Sequence, residues 1–377
     1  MMGAMRMAEF DLERFFARHE FAVRHLLCAS DVEGWRMDEL LALPDDETRA
    51  LWDGLTLGYT EAPGHPLLRA EIAGLYDTIS PDEVLTFSGA EEAIYVAANV
   101  LLKPGDHAIV TWPAYQSLHE VARATGADVT LHELHASEGW AIDVERLRSE
   151  VTPRTRLIVV NAPHNPTGML PDEATYREVA AIAAEGGATL FSDEVYRFLE
   201  VDPASRLPAG ADVGRHGVSL GVMSKSFAMA GLRIGWLATH DRALLERAAA
   251  YKDYLTICSS APSEILALIA LRARDEVIAR SRAITAQNLG LLDGFFERQA
   301  AHMTWVRPRG GSIGFPWLHA GIPIDGFAQN LLDAEGVLLA PGSLFGHPGN
   351  HFRLGFGRAG FADGLGRFEG YVERTLG

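Results

Sequence analysis

Cysteine is scarce in this sequence. Cys28 and Cys258 are the only two among 377 residues, and they lie far apart along the chain. They show no metal-ligand spacing, so the pattern predicts neither a disulfide framework nor a zinc site. This usage is typical of a reduced compartment, and we therefore expect a cytoplasmic protein without a bound metal.

Positive charge is also in short supply. Lysine and arginine number 33 against 50 aspartates and glutamates, which gives a formal net charge of −17. Such a balance argues against nucleic acid or an anionic membrane as a partner. No apolar run reaches transmembrane length, and the start lacks the basic region and apolar core of a signal peptide. Internal repeats and low-complexity segments are missing as well.

A single lysine stands in the most informative stretch, residues 223–236. Lys225 lies between Ser224 and Ser226, eight residues before Arg233, in apolar and glycine-rich surroundings. Burial lowers the pKa of an amine, and a neutral amine forms Schiff bases with aldehydes. Hydroxyls and an arginine are what a phosphate needs. The segment therefore predicts anchors for both reactive groups of pyridoxal phosphate, although a lone lysine is more often a solvated charge.

Two upstream stretches place polar residues at the ends of predicted buried strands. The apolar run 155–160 leads into a rigid Pro-containing turn that holds Asn165, and the run from Ala188 ends at Asp193. Ligands bind at the carboxyl ends of strands in open α/β sheets. A buried acid there is costly unless a cation, such as a protonated pyridine nitrogen, meets it. The alternatives are an ordinary Asn-Pro turn and an Asp193 that caps a helix.

Together these stretches resemble the class I and II aminotransferases, the fold type I superfamily of pyridoxal-phosphate enzymes. The matching motifs are Asn-Pro-Thr-Gly, then Ser-Asp-Glu-Val-Tyr, then Ser-Lys-Ser with the following Gly-Leu-Arg-Ile-Gly-Trp. The resemblance covers the chain from about residue 30 to its end. Further stretches that carry it are 59–69, 88–93, 112–115, 308–311, 341–343 and 352–355.

The resemblance implies a role for each matching residue. Lys225 would hold the cofactor's aldehyde carbon and then move the proton at the substrate Cα. Asp193 would keep the pyridine nitrogen protonated, which makes the ring an electron sink. Asn165 and Tyr196 would hydrogen-bond the phenolic oxygen of the ring, and Asn165 would also face the substrate. Arg353 would bind the substrate's α-carboxylate with its planar fork.

The other cofactor contacts implied by the resemblance surround the ring face and the phosphate. A side-chain carboxylate beside a phosphate is unfavourable, so Glu91 is expected to contribute its backbone and to turn its side chain away. The ring would stack on Tyr115, and Tyr59 would come from the partner subunit of a homodimer. The phosphate would sit at a helix N-terminus, in contact with Gly89, Ala90, Glu91, Ser224 and Arg233.

The alternation of strands and helices predicts an α/β fold, which the resemblance specifies as the type I transferase fold. We expect a large domain with a mixed, mostly parallel sheet and a smaller α+β domain. The predicted divisions are residues 1–45, which join the small domain or cover the cleft, 46–275, the cofactor-binding domain, and 276–377, the small domain. Candidate strands are 108–111, 155–161, 188–192, 218–223 and 234–238; candidate helices include 65–76, 90–102, 115–125, 172–185 and 242–251, with a helix-rich linker at 263–298.

The predicted function is Cα chemistry on an amino acid, with transamination as the first expectation. An alternative comes from residues 11–35, which resemble the capreomycidine synthase branch of the family. That branch cyclises 3-hydroxyarginine in secondary metabolism, and Asp31 and Glu33 would then meet the guanidinium. The same acids also suit helix caps or surface charges. A non-catalytic effector-binding module is disfavoured, because such regulators attach a basic DNA-binding domain that this acidic chain has no room for.

Overall fold

The computed structural model describes residues 7–319 and 321–377. Residues 1–6 of the predicted N-terminal segment lie outside this part of the chain. The helices of the described residues are α1 Asp11–His19, α2 Met37–Leu40, α3 Asp46–Asp53, α4 Pro66–Ala73, α5 Gly89–Leu101, α6 Ser117–Ala124, α7 Val144–Glu150, α8 Glu173–Glu185, α9 Arg242–Lys252, α10 Ala261–Arg272, α11 Arg274–Arg298, α12 Ile324–Glu335 and α13 Phe361–Leu376.

The strands of the described residues form one large sheet and three small ones. The large sheet has seven strands in the order β2-β8-β7-β6-β5-β3-β4. The strands are β1 His25–Leu26, β2 Val84–Phe87, β3 His107–Trp112, β4 Asp128–Glu133, β5 Thr155–Asn161, β6 Thr189–Asp193, β7 Gly217–Val222, β8 Gly235–Ala238, β9 Met303–Thr304, β10 Ile313–Gly314, β11 Trp317–Leu318, β12 Val337–Leu338, β13 Ala340–Pro341 and β14 Phe352–Gly355.

The large sheet is mixed and mostly parallel, as predicted. Strands β4, β3, β5, β6 and β7 run parallel, and β8 is antiparallel to both β7 and β2. The central strands are buried on both faces, which explains why β5 reads as a continuous apolar run. The two edge strands, β2 and β4, were not predicted. Strand β4 has polar residues at both ends, so its apolar pattern is weak.

Helices cover both faces of this sheet. Val110 points to one face, where it joins a core with Val96 of α5, and its neighbour Ile109 points to the other, where it packs with Val179 of α8. This alternation follows from the two-residue period of a strand. The two-sided cover leaves the carboxyl ends of the parallel strands as the place where polar side chains gather.

A second core lies between α11, α12, α13 and the short strands of the C-terminal part. Phe352 of β14 and Phe368 of α13 are fully buried there. Strand β1 joins this region by pairing in parallel with β12, with His25 opposite Val337. The predicted division between residues 275 and 276 falls in the first turn of α11. None of the helices in the described part of the chain has the length and apolar character that a bilayer span requires.

Candidate active site

A large cavity opens at the carboxyl ends of β5 and β6. It has a volume of about 590 Å³ and is lined by residues of the large sheet, of α1 and of the short strands. The last residues of the two strands, Asn161 and Asp193, are register partners, which brings the polar residues that follow them together. The predicted site residues on its wall are Asp31, Ala90, Glu91, Tyr115, Asn165, Asp193, Tyr196, Ser224, Lys225, Arg233 and Arg353.

Lys225 follows β7 by three residues and reaches this cavity. Its amine donates a hydrogen bond to the hydroxyl of Ser30, with 2.9 Å between Nζ and Oγ. Burial lowers the pKa of this amine, and the nearby negative charge of Asp31 opposes that shift. An amine attacks an aldehyde in its neutral form, and a lowered pKa makes that form more abundant at neutral pH.

Asp193 is a buried acid without a cationic partner. Its side chain is 4% exposed, and it takes part in no salt bridge among the described residues. Burial raises its pKa to about 7, although the Val195 N–H donates to Oδ1 at 3.2 Å. No α-helix begins at this point, so the alternative role as a helix cap is not supported. A cationic ring nitrogen would offset the cost of this buried carboxylate.

Asn165 and Tyr196 offer hydrogen-bonding groups beside Asp193. The hydroxyl of Tyr196 is buried and has no hydrogen-bond partner among the described residues. The Asn165 side-chain oxygen accepts a hydrogen bond from Arg353 Nη1 at 3.3 Å. A buried hydroxyl without a partner is unfavourable. The phenolic oxygen of pyridoxal phosphate is a group that would supply that partner.

The N-terminus of α5 and Arg233 form a cradle suited to a phosphate. Gly89, the first residue of the helix, has a φ of +83°, and a Cβ at this position would collide with the Arg233 guanidinium. The following Ala90 and Glu91 present backbone N–H groups that the helix itself leaves unbonded. Gly89 is thus the residue that lets Arg233 approach the helix end. Ser224 is buried on the same cavity wall.

The Glu91 side chain remains at the cavity wall. Its Oε1 accepts a hydrogen bond of 2.5 Å from the Ser117 hydroxyl, and burial raises its pKa. A carboxyl that is protonated more readily repels a phosphate less. The expectation that the Glu91 side chain turns away is therefore not supported, whereas the expected role of its backbone N–H is compatible with this position.

Tyr115 is tied to the first helix. Its hydroxyl donates to Glu13 Oε1 at 2.9 Å, and its ring lies 5.0 Å from that of Phe10, measured between centroids. Burial raises the pKa of the phenol, so it stays neutral. The ring is therefore held from two sides at the wall where a cofactor ring would stack.

Arg353 is the most deeply buried arginine of the site, with 1% of its surface exposed. Its Nε and Nη2 donate to the carbonyl oxygen of Cys28 at 3.1 and 2.8 Å, and no carboxylate pairs with it in the described residues. A buried guanidinium that meets only neutral oxygens is a strong site for an incoming carboxylate.

Three predicted residues are not among those that line the cavity: Gly89, which belongs to the phosphate cradle, and Glu33 and Tyr59. The Glu33 carboxylate accepts a hydrogen bond from the Ala359 N–H at 3.3 Å and lines a different depression, next to Arg358. The prediction that Glu33 faces the substrate is therefore not supported by its position, because it lines that depression and not the cavity that holds Lys225. Tyr59 is 91% exposed and lies outside the cavity of its own chain.

The cavity wall also contains charged and hydroxyl-bearing residues that were not predicted as site residues: Glu13, Arg14, Glu20 and Ser30. Glu13 and Glu20 reach the wall from α1 and its C-terminal cap, and Ser30 reaches it from the segment after β1. A signal for the glutamates was present, because Glu13, Phe16 and Glu20 follow the three- and four-residue spacing of one helix face. Ser30 lies within residues 11–35, the stretch that resembles the capreomycidine synthase branch, but no role was predicted for it.

Comparisons with known proteins agree with this geometry. The sequence model of the family described as aminotransferase class I and II matches residues 34–362. Capreomycidine synthase of Streptomyces vinaceus is 31% identical over 94% of this chain and 90% of its own length. Arginine–pyruvate transaminase AruH of Pseudomonas aeruginosa is 31% identical over 84% of this chain and 86% of its own.

Solved structures show the same fold over nearly the whole chain. A PLP-dependent aminotransferase from Streptococcus suis superposes with a TM-score of 0.93 at 30% identity, covering 98% of this chain and 99% of that one. The PLP-dependent cyclase OrfR superposes with a TM-score of 0.90 at 30% identity, covering 99% of each chain.

Proposed function

The chain belongs to the class I and II aminotransferase family and is a pyridoxal 5′-phosphate-dependent enzyme that acts on amino acids, and we propose that its substrate is an α-amino acid with a guanidino side chain. The observation that carries this proposal is an acidic wall, formed by Glu13, Glu20 and Asp31, in the cavity that holds Lys225. Carboxylates at a partly buried wall favour a planar cation such as guanidinium.

The charges of the acidic wall are only partly compensated. Asp31 is paired with Arg358, but Glu20 takes part in no salt bridge among the described residues. Burial raises the pKa of Glu20, and the negative charges of Asp31 and Glu13 add to that rise, while the positive charges of Arg358 and Lys225 oppose it without cancelling it. A bound cation would relieve this repulsion. The names of the two relatives above, one of which transaminates arginine, are consistent with such a substrate.

We assign the remaining groups to the cofactor and to the common part of an amino acid. When bound, the cofactor supplies an electron sink for the electron pair left at Cα. Lys225 anchors its aldehyde group and then takes the Cα proton, Asp193 holds the proton of the ring nitrogen, and Arg353 orients the α-carboxylate. The supporting contacts are proposed for Asn165 and Tyr196 at the phenolic oxygen, Tyr115 at the ring face, and Gly89, Ala90, Glu91, Ser224 and Arg233 at the phosphate.

Transamination is the proposed reaction, and ring closure is the second candidate. The matches to capreomycidine synthase and to the cyclase OrfR support ring closure as a candidate, since each match covers at least nine tenths of both chains. In the second reaction the Cα proton and the β-hydroxyl leave together as water. A guanidino nitrogen then bonds to Cβ and gives up its own proton, and a proton returns to Cα, so the net loss is one water. The same residues serve both outcomes until the proton has left Cα.

Two parallel incubations test the proposal. Arginine with pyruvate or 2-oxoglutarate should yield the 2-oxo acid of arginine if the enzyme transaminates. The substrate 3-hydroxyarginine alone should yield a cyclic guanidino amino acid, lighter by one water, if it closes rings. Turnover of neither compound, together with turnover of leucine or aspartate, would refute the guanidino specificity while leaving the family assignment intact.

We also propose a cytoplasmic homodimer with shared active sites. The apolar residues Leu57, Tyr59 and Tyr254 are 86–91% exposed. The two loops that carry them are joined by a hydrogen bond of 3.0 Å from Thr60 Oγ1 to the Ser259 carbonyl oxygen. An apolar surface of this kind suits a protein interface. In this interface, Tyr59 would reach the phosphate bound by the partner. Both cysteines are free, which is consistent with the reducing cytoplasm.

A further inference from the structure

Ser30 is the residue that contacts the amine of Lys225 in this structure. The hydroxyl lies 2.9 Å from Nζ and accepts a hydrogen bond from it. The serine belongs to the segment between β1 and α2, which is 195 positions from the lysine in sequence. None of the roles implied by the family resemblance falls on this residue.

The backbone around Ser30 is firmly held by the C-terminal part of the chain. The Gly355 N–H of β14 donates to the Leu27 carbonyl oxygen at 2.8 Å, and the Ser312 hydroxyl donates to the Ser30 carbonyl oxygen at 2.9 Å. A Cβ at Gly355 would collide with the backbone of Ala29. The serine hydroxyl is therefore presented to Lys225 by a tightly packed backbone rather than by a loose loop.

The geometry assigns a direction to the lysine's free electron pair. When a neutral amine donates one N–H to a fixed acceptor, the direction of that N–H is set. The lone pair is then restricted to the directions that the tetrahedral nitrogen still allows. We propose that Ser30 is a positioning residue that holds the free amine of Lys225 so that its lone pair meets the substrate's Cα hydrogen. This assignment rests on the proposed function of Lys225 and extends it to a residue to which the family resemblance gives no role.

The same contact also serves the product of the proton transfer. The Cα–H bond breaks, its electron pair stays with the substrate carbon, and the proton forms a new N–H bond at Nζ. The resulting ammonium keeps its hydrogen bond to Ser30 and faces the carboxylate of Asp31. Hydrogen bonds in which one partner is charged are stronger than neutral ones, so the serine favours the proton-accepting direction.

Competitive labelling of the apoprotein tests the contact without cofactor or substrate. Acetic anhydride is applied between pH 6 and 11, and the modification of the Lys225 peptide is followed by mass spectrometry. The charges that face Lys225, those of Asp31, Arg353, Glu13 and Asp193, are unchanged in Ser30→Ala. Loss of the acceptor should move the labelling midpoint of Lys225 down by about one pH unit.

Two further variants make the result specific. Ser30→Thr keeps the hydroxyl and should restore most of the wild-type midpoint, and Ser149→Ala removes an exposed hydroxyl on α7 and should have no effect. A midpoint in Ser30→Ala equal to that of the wild type would overturn the proposal. Circular dichroism of the variants checks that they fold alike.

Steady-state kinetics of the holoenzyme supply the second readout. Ser30→Ala should lower kcat about tenfold with little change in KM, because positioning acts on proton transfer and not on substrate binding. A rise in KM at constant kcat would instead make Ser30 a substrate-binding residue and refute the positioning role. If no guanidino substrate is turned over, the same comparison with any accepted amino acid still tests Ser30, so the two proposals fail separately.

Discussion

The guanidinium of Arg358 donates from Nη2 to both carboxylate oxygens of Asp31, at 2.8 and 3.0 Å. Asp31 lines the active-site cavity and Arg358 does not. The chain thus shows, within its own fold, a guanidinium bound at the acidic wall. A carboxylate has about four acceptor positions, so Asp31 retains capacity on its other side.

Glu20 should discriminate between substrates more strongly than the other members of the acidic wall, because among the described residues its carboxylate has neither a salt bridge nor a hydrogen bond. Asp31 is paired with Arg358, and Glu13 accepts a hydrogen bond from Tyr115. Replacing Glu20 with Gln keeps the shape and removes the charge. We expect kcat/KM for a guanidino amino acid to fall about 10- to 100-fold, the loss of one charged hydrogen bond, with little change for a neutral amino acid. Glu145→Gln, at an exposed position of α7, serves as the control. Equal losses for both substrates would contradict the assignment.

Lys225→Ala should abolish turnover, because both the anchoring and the proton transfer depend on one amine. The expected loss in kcat is at least about 10²- to 10⁴-fold, the usual contribution of a general base. Borohydride reduction followed by digestion and mass spectrometry should place the cofactor label on Lys225 in the wild type and in the exposed-lysine control Lys103→Ala. A label on another peptide would remove the basis of the mechanism.

Gly89→Ala should weaken cofactor binding beyond the effect of backbone strain alone. The added methyl group would displace the Arg233 guanidinium, and we expect the Kd for pyridoxal phosphate to rise about tenfold or more. Gly139→Ala is a matched control, since its φ is +66° but nothing lies within 4 Å of the added Cβ. Absorbance titration of the apoprotein measures both. Similar Kd values for the two variants would argue against the phosphate cradle.

The free energy of unfolding of the apoprotein should depend on pH in a way that is due to Asp193. Its pKa is raised from 3.8 to about 7, so between these values the folded state binds more protons than the unfolded state. The free energy of unfolding therefore falls as pH rises through this window, by up to about 1.4 kcal/mol per pH unit from this group. Asp193→Asn should lack that slope.

Urea unfolding of the wild-type and Asp193→Asn apoproteins between pH 4.5 and 7.5 provides the measurement. Glu264, whose pKa burial also raises to about 7, contributes equally to both proteins and cancels in the difference. Parallel curves for the two proteins would show that Asp193 is not a buried acid with a raised pKa. Saturation with pyridoxal phosphate should reduce the slope, because the ring nitrogen then stabilises the carboxylate.

Subunit complementation tests the shared active site. Tyr59→Ala and Lys225→Ala should each lower activity as pure proteins. If Tyr59 serves the partner's site, a mixed dimer of the two variants contains one site with both native residues, and activity should return on mixing and refolding. If Tyr59 serves its own chain, no site of the mixed dimer is intact. Sedimentation of the wild type establishes the dimer independently.

Local patterns were sufficient for the five inner strands of the large sheet and for the residues at their ends, but not for the two edge strands, β2 and β4. Strand β5 was predicted with its observed bounds, because a strand buried on both faces is a continuous apolar run. The predicted helix 65–76 ends earlier, at Ala73, because Gly74 caps it. Strand β4 escaped prediction because an edge strand does not need two apolar faces.

The sequence by itself determined the family, the cofactor and the residues that stand at strand ends, Lys225, Asp193 and Asn165 among them. These residues follow buried strands within a few positions, so the strand direction already places them at one edge of the sheet. Only the tertiary structure decided that Glu13, Glu20 and Ser30 share their cavity and that Glu33 does not. The physical reason is that the way the N-terminal segment packs against the C-terminal part of the chain decides which of its residues line the cavity. That packing depends on contacts between residues more than 300 positions apart.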